Sequence, residues 1–132
     1  MPLNLALEGK VYPEVAFTVD PGRAAAFAAV VEERSDVVPP TFPTAAEFLL
    51  FPQIVGDPEL GMDFTRVVHA EQEYEWRRAL VPGETVSARS RLAQIREKAG
   101  NGFLTIETQL LGADGEVAVV ARASMIERGE GG

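Results

Sequence analysis

The sequence predicts a two-layer α+β domain in which an antiparallel β-sheet packs on a short buried helix. Residues 37–51, VVPPTFPTAAEFLLF, are almost wholly apolar and carry Glu47 as their only charge. At least four other segments show the two-residue alternation that is typical of β-strands. Asp114-Gly115, between two of these segments, is a strong hairpin signal. The alternating segments need something to pack on, and the apolar stretch is the best candidate.

The chain length and the amino-acid composition indicate one soluble domain. A chain of 132 residues supports one hydrophobic core and is too short for two, so we expect a single domain over 1–132 with loose ends at 1–13 and 127–132. A net charge of -8, with the basic residues scattered among acids, argues against nucleic-acid and membrane-surface partners. The absence of cysteine excludes disulfides and thiolate chemistry. No signal-like segment opens the chain, so we expect a cytoplasmic location.

The N-terminal part predicts a strand over 14–19 followed by a helix from Pro21 to about Arg34. Asp20 suits the helix N-cap, and Pro21 suits the first helical position because its missing N–H costs nothing there. Spacings of three and four residues predict a buried side formed by Phe27, Val30, Val31 and Arg34.

The central helix is predicted to begin between Thr41 and Thr44, because residues that precede a proline disfavour helical geometry. Thr44 and Glu47 have the spacing of a capping box, and Pro52 is expected to end the helix. So short a helix needs burial to persist. We expect that burial to come from Phe48, Leu49 and Phe42.

Four strands are predicted in the second half, beginning at Val67, Val86, Phe103 and Glu116. In the first of them, Val68, Ala70, Gln72, Tyr74 and Trp76 are expected on a dry face, with His69, Glu71, Glu73, Glu75 and Arg77 on a wet one. Pro82-Gly83 predicts a type II turn, and a hairpin about it pairs Glu75 with Arg89 and Glu73 with Arg91. A hairpin about Asp114-Gly115 pairs Leu110, Thr108, Ile106 and Leu104 with Val119, Ala121, Ala123 and Met125.

Three segments together resemble the MaoC-like dehydratases and (R)-specific enoyl-thioester hydratases, and in particular their N-terminal, fatty-acid-synthase-type half. They are PPTFPTAAEF, VVHAEQEYEWRRALVPGETV and ARASMIERG. The resemblance implies a hot-dog fold, a curved antiparallel sheet wrapped around a short central helix. It also implies that a second hot dog pairs with this one to form a tunnel for an acyl chain.

The same resemblance implies a site without its own acid and base. Active halves of the family carry Asp-x-Asn-Pro-x-His in a loop, and this chain has only Ser35-Asp36-Val37-Val38 there. Asp36 is a possible remnant, and the single histidine, His69, falls on a strand. We therefore expect no catalytic residue in this chain, with Asp36 and His69 as candidates for a polar role. Pro40, Thr41, Phe42 and Phe48 are the candidate substrate-binding residues.

The function that follows is a non-catalytic or accessory subunit of an (R)-specific 3-hydroxyacyl-thioester dehydratase, active as part of a heteromeric complex. Its substrate is an acyl-CoA or acyl-carrier-protein thioester, without cofactor or metal, and its partner is a hot-dog subunit in a heterodimer or heterotetramer, or a second copy in a homodimer. Two alternatives stay open. One is a homodimeric thioesterase using Asp36 or Glu47, and the other is an acyl-thioester binding module without chemistry.

Overall fold

Five strands form one antiparallel sheet around a central helix in the computed structural model, which describes residues 3–31, 38–39 and 41–129. The strands are β1 (Val15–Thr18), β2 (Val67–Trp76), β3 (Thr85–Lys98), β4 (Asn101–Leu111) and β5 (Val117–Glu127), and the helices are α1 (Pro21–Val30) and α2 (Thr44–Val55). The strand order is β1-β3-β4-β5-β2. This is the predicted hot-dog fold, with β1 and β2 as the edges of the sheet.

The hairpin of β4 and β5 has the predicted register. Leu104 lies opposite Met125, and Leu110 lies opposite Val119. Gly115 adopts a φ of 82°, which the turn requires and which glycine adopts at low cost. The Asp114 carboxylate accepts a hydrogen bond from the Glu116 amide at 3.0 Å. This register was predictable because one tight turn fixes it.

The predicted hairpin of β2 with β3 is wrong, although its turn forms. The Glu84 amide donates to the Val81 carbonyl at 3.0 Å, and Gly83 has a φ of 92°, as a type II turn about Pro82 needs. However, β2 pairs only with β5 among the described strands, whereas β3 pairs with β1 and β4. The turn belongs to a connection that crosses from one edge of the sheet to the other. The predicted pairs of Glu75 with Arg89 and Glu73 with Arg91 therefore do not form.

Helix α1 begins as predicted but buries a different side. The Asp20 carboxylate caps it by accepting from the Arg23 amide at 2.9 Å. Its buried residues are Ala24 and Ala28, while Val30 is 82% exposed, so the buried side predicted for Val30 and Val31 is wrong. Alanine side chains allow the helix backbone to approach the core closely. Residues 32–37, including Arg34, lie outside the described residues.

Helix α2 continues through Pro52 and ends at Val55, in contrast to the predicted end. Leu50 and Ile54 are fully buried on its inner side. The burial of each of these side chains stabilises the fold by roughly 1.5–3 kcal/mol. Together they offset the cost of about 3 kcal/mol for a proline inside a helix. The predicted capping box does not form, because Pro43 is the N-cap and makes no side-chain cap.

Phe42 is buried as predicted, whereas Phe48 and Leu49 are exposed by 64% and 48%. The expected burial of these two residues is wrong because α2 is rotated about its axis so that a different side faces the sheet. The buried residues on that side are Ala46, Glu47, Leu50 and Ile54. The outer side of the central helix is therefore apolar and open.

The described parts of the chain ends are packed, in contrast to the expected loose ends. Leu3 and Tyr12 are buried, and a short 3-10 helix spans Leu5–Leu7. The Glu127 carboxylate accepts from the Asp63 amide at 2.6 Å. Within the described ranges, no helix has the length and apolarity that crossing a membrane requires.

Candidate functional site

A β-bulge in β2 turns His69 toward the central helix. The pairing with β5 shifts between His69 and Glu71, so Ala70 is the extra residue. His69 lies opposite Met125 and Gln72 lies opposite Ala123. Because positions 123 and 125 share one face of β5, His69 joins the inner face with Gln72. The prediction that His69 shares a face with Glu71 is wrong, since strict alternation does not anticipate a bulge, whereas the predicted solvent exposure of His69 is confirmed.

The same bulge moves the beginning of β2 out of the predicted alternation. Val68 is 48% exposed, although it was expected on the dry face. Val67 turns inward instead and lies beside His69 and Met125. One inserted residue thus places an apolar and a polar side chain next to α2.

An apolar cleft of about 200 Å³ lies between the outer side of α2 and the beginning of β2. The rings of Phe48 and Phe51 meet edge to face there, with centroids 5.7 Å apart. Among the described residues, His69 is the only ionisable one that lines the cleft. The lining residues are Phe48, Phe51, Ile54, Val55, Met62, Phe64, Val67, His69, Ile106 and Met125.

A polar network lies behind this cleft, on the inner side of α2. The Glu47 carboxylate is 1% exposed. It accepts hydrogen bonds from the Gln72 amide at 3.1 and 3.2 Å and from the Tyr74 hydroxyl at 3.3 Å. The Thr44 hydroxyl in turn contacts the Tyr74 hydroxyl. Both carboxylate oxygens therefore have neutral partners, and no Lys or Arg side chain hydrogen-bonds to them among the described residues.

Burial raises the pKa of Glu47, because desolvation disfavours the charged form more than its partners favour it. The hydrogen bonds from Gln72 and Tyr74, and the charge of His69, act in the opposite direction. Burial also raises the pKa of Tyr74. The environment of Glu47 therefore favours its protonated form more than water does.

The structure brings together two of the predicted site residues, Phe48 and His69, in the cleft. Phe42 lies elsewhere, in the core, with its ring centroid 6.1 Å from that of Phe17 and 5.5 Å from that of Phe27. Thr41 is exposed at the turn before α2. Pro40 and Asp36 lie outside the described residues.

The sequence prediction missed the buried network, although the sequence contains a signal for it. Gln72 and Tyr74 are polar residues on a face expected to be dry, and Glu47 is the only charge in the apolar stretch. Buried polar groups need partners, so these three residues could have been matched. Met62, Phe64 and Met125 were missed because they come from a segment without periodicity and from a distant strand.

The chemistry that this arrangement supports is the binding of an alkyl group beside a single imidazole. Nε2 of His69 lies 3.0 Å from the Glu71 carbonyl oxygen of its own strand. In the part of the chain that the structure describes, no three His, Asp or Glu side chains lie close enough together to hold a metal ion. Among the described residues that line it, the cleft is apolar apart from His69 and contains no second acid or base.

The fold and cleft define a hot-dog dehydratase-like domain, and the sequence comparison gives the family. Residues 19–121 match the family model of the FAS1-like, dehydratase domain region. The chain belongs to this family and is a MaoC-like hot-dog dehydratase family member. A UPF0336 protein of Saccharopolyspora erythraea is 31% identical over 98% of this chain and 94% of its own length. A UPF0336 protein of Thermobifida fusca is 36% identical over 71% of this chain and 62% of its own length.

Solved structures have the same fold at low identity. A chain of the C-terminally truncated HadBC (3R-hydroxyacyl-ACP dehydratase) complex of Mycobacterium tuberculosis has a TM-score of 0.79 at 18% identity, covering 91% of this chain and 96% of its own. A MaoC-like dehydratase has a TM-score of 0.82 at 18% identity. The match covers 95% of this chain and 43% of that longer chain. A chain of the ChsH1-ChsH2 complex of Mycobacterium tuberculosis has a TM-score of 0.67 at 14% identity. The match covers 93% of this chain and 86% of that chain. These likenesses establish the fold alone.

Proposed function

We propose that the chain is an accessory subunit of an (R)-specific 3-hydroxyacyl-thioester dehydratase or enoyl hydratase. It shapes the acyl-chain tunnel, and a partner hot dog supplies the acid and base. The observation that carries this proposal is the cleft, which is apolar except for the only histidine of the sequence. That imidazole faces a backbone carbonyl of its own strand.

The sequence supports a complex in which this chain binds the acyl group and a second chain carries the catalytic acid and base. General acid-base catalysis near neutral pH needs a positioned pair such as Asp and His. This chain has no Asp-x-Asn-Pro-x-His segment, so the pair has to come from elsewhere. The named HadBC and ChsH1-ChsH2 structures are complexes, which supports a partner of the same fold.

The size of the cleft supports the same division. Ligand pockets generally enclose roughly 300–1,000 Å³, whereas this cleft holds about 200 Å³. Phe48 and Phe64 at its rim are 64% and 56% exposed. A second surface laid against this rim encloses a larger apolar volume and excludes water from the acyl chain.

The test offers a series of trans-2-enoyl-CoA thioesters to the chain alone and to a mixture with a hot-dog chain that carries the Asp-x-Asn-Pro-x-His motif. We expect hydration only in the mixture. Met62→Trp, which fills the cleft, should reduce turnover of long acyl chains more than of short ones. Val30→Trp, on the exposed side of α1, is the matched control. Hydration by the chain alone would contradict the accessory role.

A second candidate, a homodimeric acyl-CoA thioesterase, is favoured by one observation. Glu47 is a buried carboxyl group on the central helix, and burial raises its pKa, as a general base poised for work near neutral pH requires. Its two oxygens, however, are already engaged by Gln72 and Tyr74. Release of free coenzyme A by the chain alone, abolished in Glu47→Gln, would establish this function in place of the first.

A third outcome of the same assays is binding without turnover. The chain would then bind a fluorescent acyl-CoA in its cleft while neither the chain nor the mixture converts any thioester. Met62→Trp should weaken that binding as well, because the cleft is the same. This result would leave an acyl-thioester binding module.

A further inference from the structure

A cavity of about 540 Å³ lies on the face of the sheet that points away from α2, and we call it the outer cavity. Leu104 and Ile106 of β4 pack with Ile54 of α2 in the core. Because side chains alternate along a strand, Phe103 and Thr105 point to the opposite face, and both line the outer cavity. The apolar cleft therefore lies on the other face of the sheet. The volume of the outer cavity falls in the range of roughly 300–1,000 Å³ that ligand pockets occupy.

A row of polar side chains crosses the middle of the outer cavity, with a β-bulge at each end. The row runs through one residue of each strand from β3 to β2, paired in register: Gln94, Thr105, Ser124 and Glu71. The pairing shifts beside Gln94 in β3 and beside Glu71 in β2. Bulges re-aim side chains and are frequent beside active sites. The two bulges thus bracket a row whose centre offers two hydroxyl groups.

A second row, beside the first, has an apolar centre and a cation at its β3 end. Arg96 lies opposite Phe103, which lies opposite Ile126. Phe103 and Ile126 are half-buried, and both line the outer cavity. Lys98 follows Arg96 by two residues, which places it on the same face, and it also lines the outer cavity. Two cations therefore stand at one end of a surface that a flat apolar group can cover.

These two cations are not neutralised by the part of the chain that the structure describes. No described carboxylate forms an ion pair with Arg96 or Lys98. Gln94 instead holds the guanidinium group of Arg96. With its amide oxygen turned toward Arg96, Gln94 accepts hydrogen bonds from Nε at 3.0 Å and from Nη2 at 2.6 Å. A neutral partner orients a guanidinium group without cancelling its charge, so Nη1 of Arg96 and the ammonium group of Lys98 remain for a ligand.

Two acids also line the outer cavity, and neither lies beside these cations. Glu97 pairs with Gly102, which is buried, so alternation directs the Glu97 side chain to the face that carries α2. Glu71 lies three strands away from Arg96, which is about 14 Å at the usual strand spacing. The outer cavity is therefore positive at its β3 end and negative at its β2 end.

We propose that the outer cavity binds a small organic anion, a carboxylate or a phosphate carried on an aromatic ring. The guanidinium group of Arg96 donates charge-assisted hydrogen bonds, which carboxylates and phosphates both accept, and Lys98 adds a second positive charge. Phe103 offers the ring of the ligand an offset or edge-to-face partner. The hydroxyl groups of Thr105 and Ser124 bind polar substituents on that ring. This inference goes beyond the proposed function, since it needs neither a partner subunit nor a thioester.

The test is isothermal titration calorimetry of the full chain with four probes: phenyl phosphate, benzoate, inorganic phosphate and benzyl alcohol. We expect phenyl phosphate or benzoate to bind saturably with one equivalent, and the tighter of the two identifies the anion. Inorganic phosphate lacks the ring and benzyl alcohol lacks the charge, so each should bind severalfold more weakly. Inorganic phosphate that binds as tightly as the aromatic anions would overturn the proposal, as would the absence of saturable binding by both aromatic anions.

Substitutions in the outer cavity locate the binding. Arg96→Gln should weaken the binding of the tighter anion on the order of tenfold, and Arg96→Lys, which keeps the charge, should recover part of that loss. Arg23→Gln makes the same change in net charge at an exposed position of α1 and should leave binding unchanged. Phe103→Leu should weaken the aromatic anions about threefold and leave inorganic phosphate unchanged. Equal effects of Arg96→Gln and Arg23→Gln would mean that net charge alone attracts the anion, and would overturn the site.

Met62→Trp separates the outer cavity from the apolar cleft. Met62 lines the cleft, so filling the cleft should leave the binding of aromatic anions unchanged. Loss of binding in this variant would place the probe in the cleft and contradict the proposal. Circular dichroism of each variant verifies its fold before titration.

The result is independent of the proposed function. A chain that binds an aromatic anion but supports no hydration with a catalytic partner retains the outer cavity as a site and loses the function. A chain that supports hydration but binds no aromatic anion retains the function and loses the site.

Discussion

Glu47→Gln is expected to stabilise the protein at neutral pH, although it removes a carboxylate that has two hydrogen-bond partners. The side chain is 1% exposed, and burial raises its pKa above the ordinary value. Glutamine has the same shape and no charge. Its amide oxygen can accept from Tyr74, and rotation of the Gln72 amide lets the two amides pair.

The sign follows from proton linkage. The folded state holds the Glu47 proton more tightly than the unfolded chain, so the contribution of Glu47 to stability is fully present below the unfolded pKa of about 4.3. It is then lost as the pH rises through the raised folded pKa. The advantage of the Gln variant should be smallest below about pH 4.3. It should grow as the pH rises through the raised folded pKa and then reach a plateau.

Each unit by which the folded pKa exceeds the unfolded one contributes about 1.4 kcal/mol to the plateau, or about 5 °C in Tm for a domain of this size. Urea denaturation of both proteins at a series of pH values measures the difference directly. Glu97→Gln, at an exposed position, is the matched control and should change stability by less than about 0.5 kcal/mol. A Gln variant that becomes less stable than wild type as the pH rises would refute the reasoning.

Three further outcomes are expected. Phe42→Ala should cost about 3–5 kcal/mol, because Phe42 is 2% exposed. Phe48→Ala at the open cleft should cost less than about 1 kcal/mol, and equal costs in urea denaturation would contradict the assignment of core and cleft. Asp57→Asn should cost about 1–3 kcal/mol at pH 7, since the carboxylate accepts from Lys10 and Tyr12 at 2.7 Å each. The Lys10 hydrogen bond in particular lowers the pKa of Asp57, so this cost should shrink as the pH falls through that lowered pKa, and a cost that persists at low pH would contradict the pairing. Gly83→Ala should cost about 1–2 kcal/mol because its φ is 92°, whereas Gly22→Ala in α1 should be neutral or stabilising by up to about 1 kcal/mol; thermal denaturation that ranks them the other way would refute the turn geometry.

The features that the sequence predicts correctly are those that neighbouring residues decide. The register of β4 with β5 follows from Asp114-Gly115, and the start of α1 follows from Asp20 and Pro21. Each depends on backbone geometry within a few residues. The pairing of β2 is different, because Pro82-Gly83 fixes a turn and leaves open which strands flank it in the sheet. Strand order depends on contacts across the whole chain.

The bulge at Ala70 limits how far the candidate site could be predicted. Alternation assigns every residue of a strand to a face, and one extra residue reverses the assignment for everything before it. His69 and Val68 were misplaced for this reason, whereas Gln72 and Tyr74, after the bulge, keep their predicted face. The polar character of those two residues was the available signal for the buried network around Glu47.

The two sides of α2 reverse the usual distribution of polar and apolar residues. A helix that serves only its own core buries phenylalanine and exposes glutamate. Here Glu47 is buried, and Phe48 is 64% exposed. Departures from the expected pattern tend to lie at functional sites, where the loss of stability is compensated elsewhere. The exposed ring and the apolar cleft beside it are what the proposed accessory role requires, since that role places an acyl chain and a second subunit against this surface. On the inner side of the same helix, the burial of the Glu47 carboxyl group lowers the stability of the protein at neutral pH.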